Sequence, residues 1–307
     1  MFFDPKKTSF GRHETFALRY GWLTKGYQAV DKNNKIFTDD DATMILGVGK
    51  NMVASIRYWL IACQVLMQDT LEPTDAGYII FDDANGLDKY LEDEATIWLL
   101  HWLLATNPNN ATSWYWFFNK FHKAEFTSQE LTTALTDFIG DTIIEGKKPS
   151  ANTLKNDAQL LHRMYTQSKV SARTPLEDSL DSPFSLLRLI SQSSDGRRFI
   201  SRPEARESLP LVVFGYAVLQ VMQARNLKSI PIAELMYSRD KNSAPGAVFR
   251  MTENGLMTKV EQLILAMPGF FEIRDTAGIH QLFLLKECDV KAFLRENYNG
   301  FTVKASV

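Results

Sequence analysis

Residues 46–60 read LGVGKNMVASIRYWL, and the Gly-Val-Gly-Lys inside them admits two incompatible folds. As a phosphate-binding loop it demands a preceding strand and an α/β sheet. As the turn of a helix-turn-helix it demands two flanking helices and an α-rich chain. Spacing separates the two. The phosphate loop is G-x-x-x-x-G-K-[ST]; counted from Gly49, its first glycine falls on Met44 and its hydroxyl on Asn51. The preceding stretch, FTDDDATMILGV, has a helical pattern that Thr38 or an aspartate can cap. In the helix-turn-helix reading Ala42, Ile45 and Leu46 belong to the first helix and Gly47-Val48-Gly49 form the turn. Val53, Ile56, Leu60 and Cys63 make the inward stripe of the second helix. Lys50, Asn51, Ala54, Arg57 and Tyr58 face outward, and such side chains suit phosphates or base edges. The segment DTLEPTDAGYIIFDD then reads as a short strand pair, the wing of a winged helix.

The same order of elements returns near the C-terminus. SIPIAELMYSRD reads as a short helix and SAPGAVFRMTENGLMTKVEQLILAM as a turn and a longer helix. GFFEIRDTAGIHQLFLLKE alternates about Thr276-Ala277-Gly278 like a hairpin. Arg250, Asn254, Thr258 and Lys259 are expected on the outer side of this second winged helix, with Arg274 in the hairpin. Between the two lie apolar helical stretches: LEDEATIWLLHWLLA, the aromatic-dense SWYWFFNKF, SQELTTALTDFI, SANTLKNDAQLLHRMYTQ with Leu154, Ala158, Leu161 and Tyr165 on one face, and LPLVVFGYAVLQVMQARN. The expected class is mostly α, with winged helix-turn-helix units flanking a central helical domain. The expected segments are 1–88, 89–227 with a flexible basic stretch over 170–208, and 228–307.

A formal net charge of −2 over 307 residues excludes a generally basic nucleic-acid coat, so any DNA contact must come from local patches. Residues 38–82 hold only Lys50 and Arg57 against seven carboxylates. The clearest basic concentration is central: Lys147, Lys148, Lys155, Arg163, Lys169 and Arg173 with Asp157 as the single acid among them, followed by Arg197, Arg198, Arg202 and Arg206. Such a run can follow a phosphate backbone, and can equally be the solvated faces of helices. Two distant cysteines in apolar surroundings, Cys63 and Cys288, suit free thiols in a reducing cytoplasm. The chain has no apolar run of membrane-spanning length and no signal-peptide pattern.

Signatures of catalysis are lacking. His13-Glu14 is followed by Ala17 where a zinc motif needs a second histidine, and the five histidines are scattered. His101 among tryptophans reads as a core residue. Asp82-Asp83 and Glu92-Asp93-Glu94 suit helix caps or surface positions better than a metal. Trp98, Trp102, Trp114 and Trp116 suit core packing better than base stacking.

The segments FGRHETFALRYGWLTKGY, LGVGKNMVASIRYWL, YLEDEATIWLLHWLLA and SWYWFFNKF together resemble one bacterial family of unknown function. That family is met in phage-defence gene clusters, beside PAPS-reductase-like proteins of DNA phosphorothioation and BREX-type systems. The resemblance implies a setting in DNA sulfur modification or defence, with a sulfur-transfer enzyme or an ATPase of the same cluster as partner. It supplies no catalytic residues. The expected activity is that of a non-enzymatic accessory protein without cofactor or metal. It would contact duplex DNA through Lys50, Asn51, Arg57, Tyr58, Arg250 and Lys259 and hold phosphates through Lys147, Lys148, Lys155 and Arg163. The alternative is an assembly adaptor whose winged helices dock on protein.

Overall fold

The computed structural model describes residues 2–143, 148–167, 182–238, 242–276 and 278–301. These residues are mostly α-helical and include two three-stranded antiparallel sheets. Their contacts form two units, Phe3–Phe117 with Phe121–Arg202, and Met1–Phe2 with Phe118–Lys120 and Pro203–Val307. We call them the N-terminal and the C-terminal unit. This division differs from the three consecutive segments expected from the sequence.

In the N-terminal unit the order is α1 (Trp22–Lys32), a 3-10 turn (Ile36–Thr38), α2 (Ala42–Leu46), α3 (Lys50–Ala62), α4 (Asp75–Phe81), α5 (Glu94–Ala105), α6 (Thr112–Lys120), β1 (Glu125–Phe126), α7 (Ser128–Thr142), α8 (Ala151–Tyr165), a 3-10 turn (Pro183–Leu187), β2 (Ser191–Gln192) and β3 (Phe199–Ile200). Helix α5 is apolar all round and buried from Ala95 to Ala105, so it can only be the centre of a core. Trp98, Trp102, Trp114 and Trp116 are all buried, so none offers a stacking platform. His101 is buried too, with Nδ1 2.8 Å from the Tyr165 hydroxyl. Caps fix the helix starts: Thr127 and Glu130 form a capping box on α7, and the Ser150 hydroxyl accepts from Thr153 N–H on α8.

Two expectations for this unit need correction. The wing expected over DTLEPTDAGYIIFDD is absent. Only Leu66 and Pro73 bridge, and Asp75–Phe81 form α4. The Thr74 hydroxyl accepts from Gly77 N–H and starts the helix, and Ala76, Ile79 and Ile80 are buried at helical spacing. The basic stretch expected to be flexible is ordered over 182–208: Phe184, Leu187, Leu189, Ile190 and Phe199 are buried, and β3 pairs with both β1 and β2. Residues 168–181, which include Lys169 and Arg173, lie outside the described residues.

The C-terminal unit runs α9 (Leu211–Ala224), β4 (Ser229–Pro231), α10 (Ile232–Met236), α11 (Pro245–Val248), α12 (Glu253–Ala266), β5 (Phe271–Thr276), β6 (Ile279–Leu284) and α13 (Val290–Asn297). Its sheet has the order β4-β6-β5. The hairpin closes with Thr276 opposite Ile279, where the alternation placed it.

Burial has a measurable consequence at His162 on α8. Its ring stacks on Phe199 at 3.9 Å, and its Nε2 lies 2.8 Å from the Ser128 hydroxyl. Burial pushes its pKa from 6.5 down to about 4. The unfolded chain therefore takes up this proton at a higher pH than the folded one, and the fold loses stability as pH falls from 6.5 towards 4. Urea unfolding across this window should show a loss of about 2–3 kcal/mol, which His162→Gln largely abolishes.

Candidate nucleic-acid interface

Helices α2 and α3 meet at a tight turn. Gly47 closes α2 with φ +60°, a left-handed conformation that favours glycine, and Val48 N–H donates back to the Thr43 carbonyl. Val53, Ile56, Leu60 and Cys63 are buried, as the inward stripe required. Lys50, Asn51, Ala54 and Arg57 are exposed on the opposite side. Tyr58 is the exception. It is 9% exposed, packed against Trp59 and His13, and so is a core residue rather than a reading one. Burial first, and the charge of Asp157 second, hold its phenol well above its ordinary pKa.

No acidic side chain occurs on α3, and Lys50 sits in its first turn, where the helix dipole disfavours a cation. Lys50 and Arg57 form no ion pair with any described residue. A second outward face of the same kind lies on α8, where Asn152, Lys155, Gln159 and Arg163 are exposed three and four residues apart. Lys155 and Arg163 are likewise unpaired among the described residues. Lys148 is exposed and donates to the Gly140 carbonyl at 3.3 Å. Lys147 lies outside the described residues.

Of the remaining basic positions Arg197 is exposed, and the others are committed elsewhere. Arg198 is 2.7 Å from Glu125, Arg202 is 3.5 Å from the same carboxylate, and Arg206 is 3.0 Å from Glu204. In the C-terminal unit Arg250 and Lys259, both expected to reach DNA, are 6% and 7% exposed. Arg250 lies over the Phe118 ring at 5.5 Å; burial, and then the neighbouring Arg206 charge, push its pKa down to about 9. Lys259 turns inward and donates to the Glu207 and Leu209 carbonyls at 3.2 and 2.7 Å. What α12 presents outward is Glu253, Asn254, Thr258, Glu261, Gln262 and Leu265. Arg274 pairs with Glu272 at 2.7 Å.

One buried cluster lies among α3, α6 and α8, and its only mark in the sequence is a lone acid in a basic stretch. Asp157, the only acid of α8, is 1% exposed. Its Oδ1 accepts from Gly11 N–H and His13 Nε2, both at 2.9 Å, and its Oδ2 accepts from the Ser113 hydroxyl at 2.6 Å. Thr15 N–H donates to His13 Nδ1 at 3.0 Å, which assigns the imidazole proton to Nε2. The imidazole stacks on Trp59 and meets Tyr58 and Trp114 edge-on. The arrangement has the residue types of a nucleophilic triad and the wrong connectivity: the serine bonds the carboxylate, and the histidine nitrogen facing away from it is used by backbone. Its role is to fasten residues 11–15 to α3, α6 and α8.

The acidic pairs are structural. Asp82 accepts from Ala84 and Asn85 N–H, Asp83 pairs with Lys89, Asp93 caps α5, and Glu94 accepts from Trp98 Nε1. Among the described residues no group of three or more His, Cys, Asp or Glu side chains could hold a metal ion. No described helix is long and apolar enough to cross a membrane.

The model of a protein family of unknown function, DUF4007, matches residues 10–298. The chain belongs to this family. No curated protein matches it. Two solved structures are similar. A crystal structure of SspB is 32% identical and aligns with a TM-score of 0.77 over 90% of this chain and 83% of that one. Magnesium-bound SspB is 31% identical, with a TM-score of 0.78 over 91% and 85%.

Removing the carboxylate that ties the cluster together strands three buried donors. Asp157→Ala should lower stability by about 3–5 kcal/mol, read as a fall in the urea midpoint.

Proposed function

We propose that this chain is a DNA-binding accessory protein of a DNA phosphorothioation-linked or phage-defence system. The observation that carries the reading is the pair of outward faces on α3 and α8. Lys50, Arg57, Lys155 and Arg163 stand there exposed, without ion pairs among the described residues and without a carboxylate on either face. Unpaired cations on rigid helices favour a polyanion, because phosphates replace water and counterions at no cost in broken salt bridges. Helix α3 is the base-reading candidate of a helix-turn-helix, with Asn51 and Arg57 as readers and Ala54 allowing close approach. Helix α8 supplies phosphate contacts. The phosphorothioation setting is supported by the family resemblance of the four ordered segments and by the likeness to SspB, a DNA phosphorothioation-system protein. The setting is compatible with a cytoplasmic protein acting without cofactor or catalytic step of its own.

A different observation favours a second role for the C-terminal unit. Its run α9-β4-α10-α11-α12-β5-β6 follows the winged-helix order, yet α12 turns Glu253, Glu261 and Leu265 outward and keeps Lys259 inside. A face of that composition repels phosphate and suits a protein partner, such as the sulfur-transfer enzyme or ATPase of the same system. Copurification of such a partner that persists after nuclease treatment and is lost in Leu265→Asp would support this role.

The test of DNA binding is fluorescence anisotropy of the full chain with a labelled duplex over a salt series, with and without phosphorothioate linkages and magnesium. Affinity should fall steeply with salt, and Arg57→Ala should weaken binding by about 1–3 kcal/mol if Arg57 reads a base. Absence of binding at low salt would overturn the proposal. Magnesium-dependent nicking of the duplex would replace the accessory role with a catalytic one.

A further inference from the structure

We infer that the outer edge of β5 is an interface between two copies of this chain, which pair antiparallel about Ile273 and join their three-stranded sheets into one of six strands. This inference is independent of the DNA-binding reading, since it uses only the C-terminal unit.

In the sheet order β4-β6-β5, β6 is the centre and β5 is an edge of six residues, with no proline or lysine to blunt it. The bonds already made fix the direction of each backbone group. Leu284 N–H donates to the Lys228 carbonyl, so the even-numbered residues of β6 turn their backbone groups towards β4. Leu285 N–H donates to the Phe270 carbonyl, so the odd-numbered residues turn theirs towards β5. The register sets Phe283 opposite Glu272, Gln281 opposite Arg274 and Ile279 opposite Thr276. Glu272, Arg274 and Thr276 therefore use their backbone groups on β6, and Phe271, Ile273 and Asp275 aim theirs outward. No other described strand takes these outward groups up.

An antiparallel partner must bring outward-facing residues of its own opposite these three. A second copy of β5 does so about any twofold axis through a residue position, and the side chains then select among the axes. An axis through Glu272, Arg274 or Asp275 sets that charge against its own copy. Axes through Phe271 or Thr276 leave most of the strand unpaired. The axis through Ile273 lets Phe271, Ile273 and Asp275 all exchange backbone bonds, and it sets Glu272 opposite Arg274 of the second copy on both sides. These two side chains share the outward face and are 45% and 51% exposed. They fall in non-hydrogen-bonded pairs, where opposite side chains come closest and opposite charges attract. Ile273, half-buried on the other face, meets its own copy. A strand of unrelated sequence could satisfy the backbone, but it has no reason to carry this reciprocal pattern of charge. An isologous contact of this kind also closes at two chains.

The experiment is sedimentation velocity of the full-length chain at rising concentration up to about 100 µM, because so short a strand pair belongs to the small, reversible class of interface. The mass should rise from that of one chain towards that of two. Glu272→Arg and Arg274→Glu each set like charges opposite one another, and each should weaken self-association at least tenfold. Mixed together, the two single variants should associate, because each then supplies the charge the other lacks. Ile273→Pro removes an outward N–H and no bond to β6, and it should leave a monomer. Thermal melts verify that each variant is folded. A parental chain that stays monomeric throughout overturns the inference and leaves the edge to a strand of another protein. A dimer that survives both charge variants lies elsewhere on the molecule, and the inference fails. If the mixed variants do not associate, the register about Ile273 is wrong, and the inference fails with it.

Discussion

A carboxylate sealed from water must find its hydrogen-bond donors inside the protein, and Asp157 finds them on parts of the chain more than forty residues away. That requirement organises the N-terminal unit. The backbone of Gly11, the imidazole of His13 and the hydroxyl of Ser113 have to converge on one side chain of α8, so the N-terminal segment, α6 and α8 cannot be placed independently. His13 then carries the constraint onward to α3 by stacking on Trp59. Apolar packing around it supplies most of the driving force, but apolar contact is tolerant of small shifts, whereas three hydrogen bonds to one carboxylate are directional. The angle between the two cationic helices is fixed by a group that itself never meets solvent.

The same accounting of partners sorts the basic residues. A cation near a carboxylate, like Arg198 beside Glu125, has its charge already answered. A cation turned inward, like Lys259 onto two backbone carbonyls, contributes to the fold and is hidden from a ligand. Only those that are both exposed and unpaired leave a field that a phosphate can feel. Applied to a chain whose net charge is −2, this criterion keeps Lys50, Arg57, Lys155 and Arg163 on two helix faces, and it also keeps scattered cations such as Lys35 and Arg197 elsewhere. It also separates the two units chemically, since the outward face of α12 in the C-terminal unit keeps its carboxylates and none of its cations.

Elements whose signal is local were legible in the sequence. The stripe Val53, Ile56, Leu60 and Cys63 repeats with the helical period, and the alternation around Thr276-Ala277-Gly278 repeats with the period of a strand. Helix α4 is not legible from pattern alone because Tyr78-Ile79-Ile80-Phe81 is a short apolar run compatible with either state, and the cap at Thr74 decides it. Tyr58, Arg250 and Lys259 are buried against expectation for a different reason. A helical wheel gives the direction of a side chain and says nothing about which other segment covers it; Tyr58 is covered by His13 and Arg250 by Phe118. Asp157 was visible only as the lone acid in a basic stretch. Its oddity there was a signal, because a single carboxylate on a helix with a buried apolar face is as well placed to organise a core as to meet solvent.

The segment FGRHETF contributed to the family resemblance, and the structure gives it a physical content. Its glycine, histidine and threonine form the bonded loop around Asp157, while Arg12, Glu14 and Thr15 are exposed. SWYWFFNKF supplies Ser113 and Trp114 to the same cluster, and LGVGKNMVASIRYWL supplies Tyr58 and Trp59. Three of the four segments that carry the resemblance thus converge on one buried carboxylate, and one of them also carries the exposed Arg57. An ordered loop carrying an unpaired arginine is an arrangement that stability alone does not require. Stability would be served as well by a neutral side chain at position 12 and a carboxylate opposite Arg57. A buried carboxylate with three donors beneath a helix face that keeps Arg57 unpaired is the contrast on which the proposed DNA-binding reading draws.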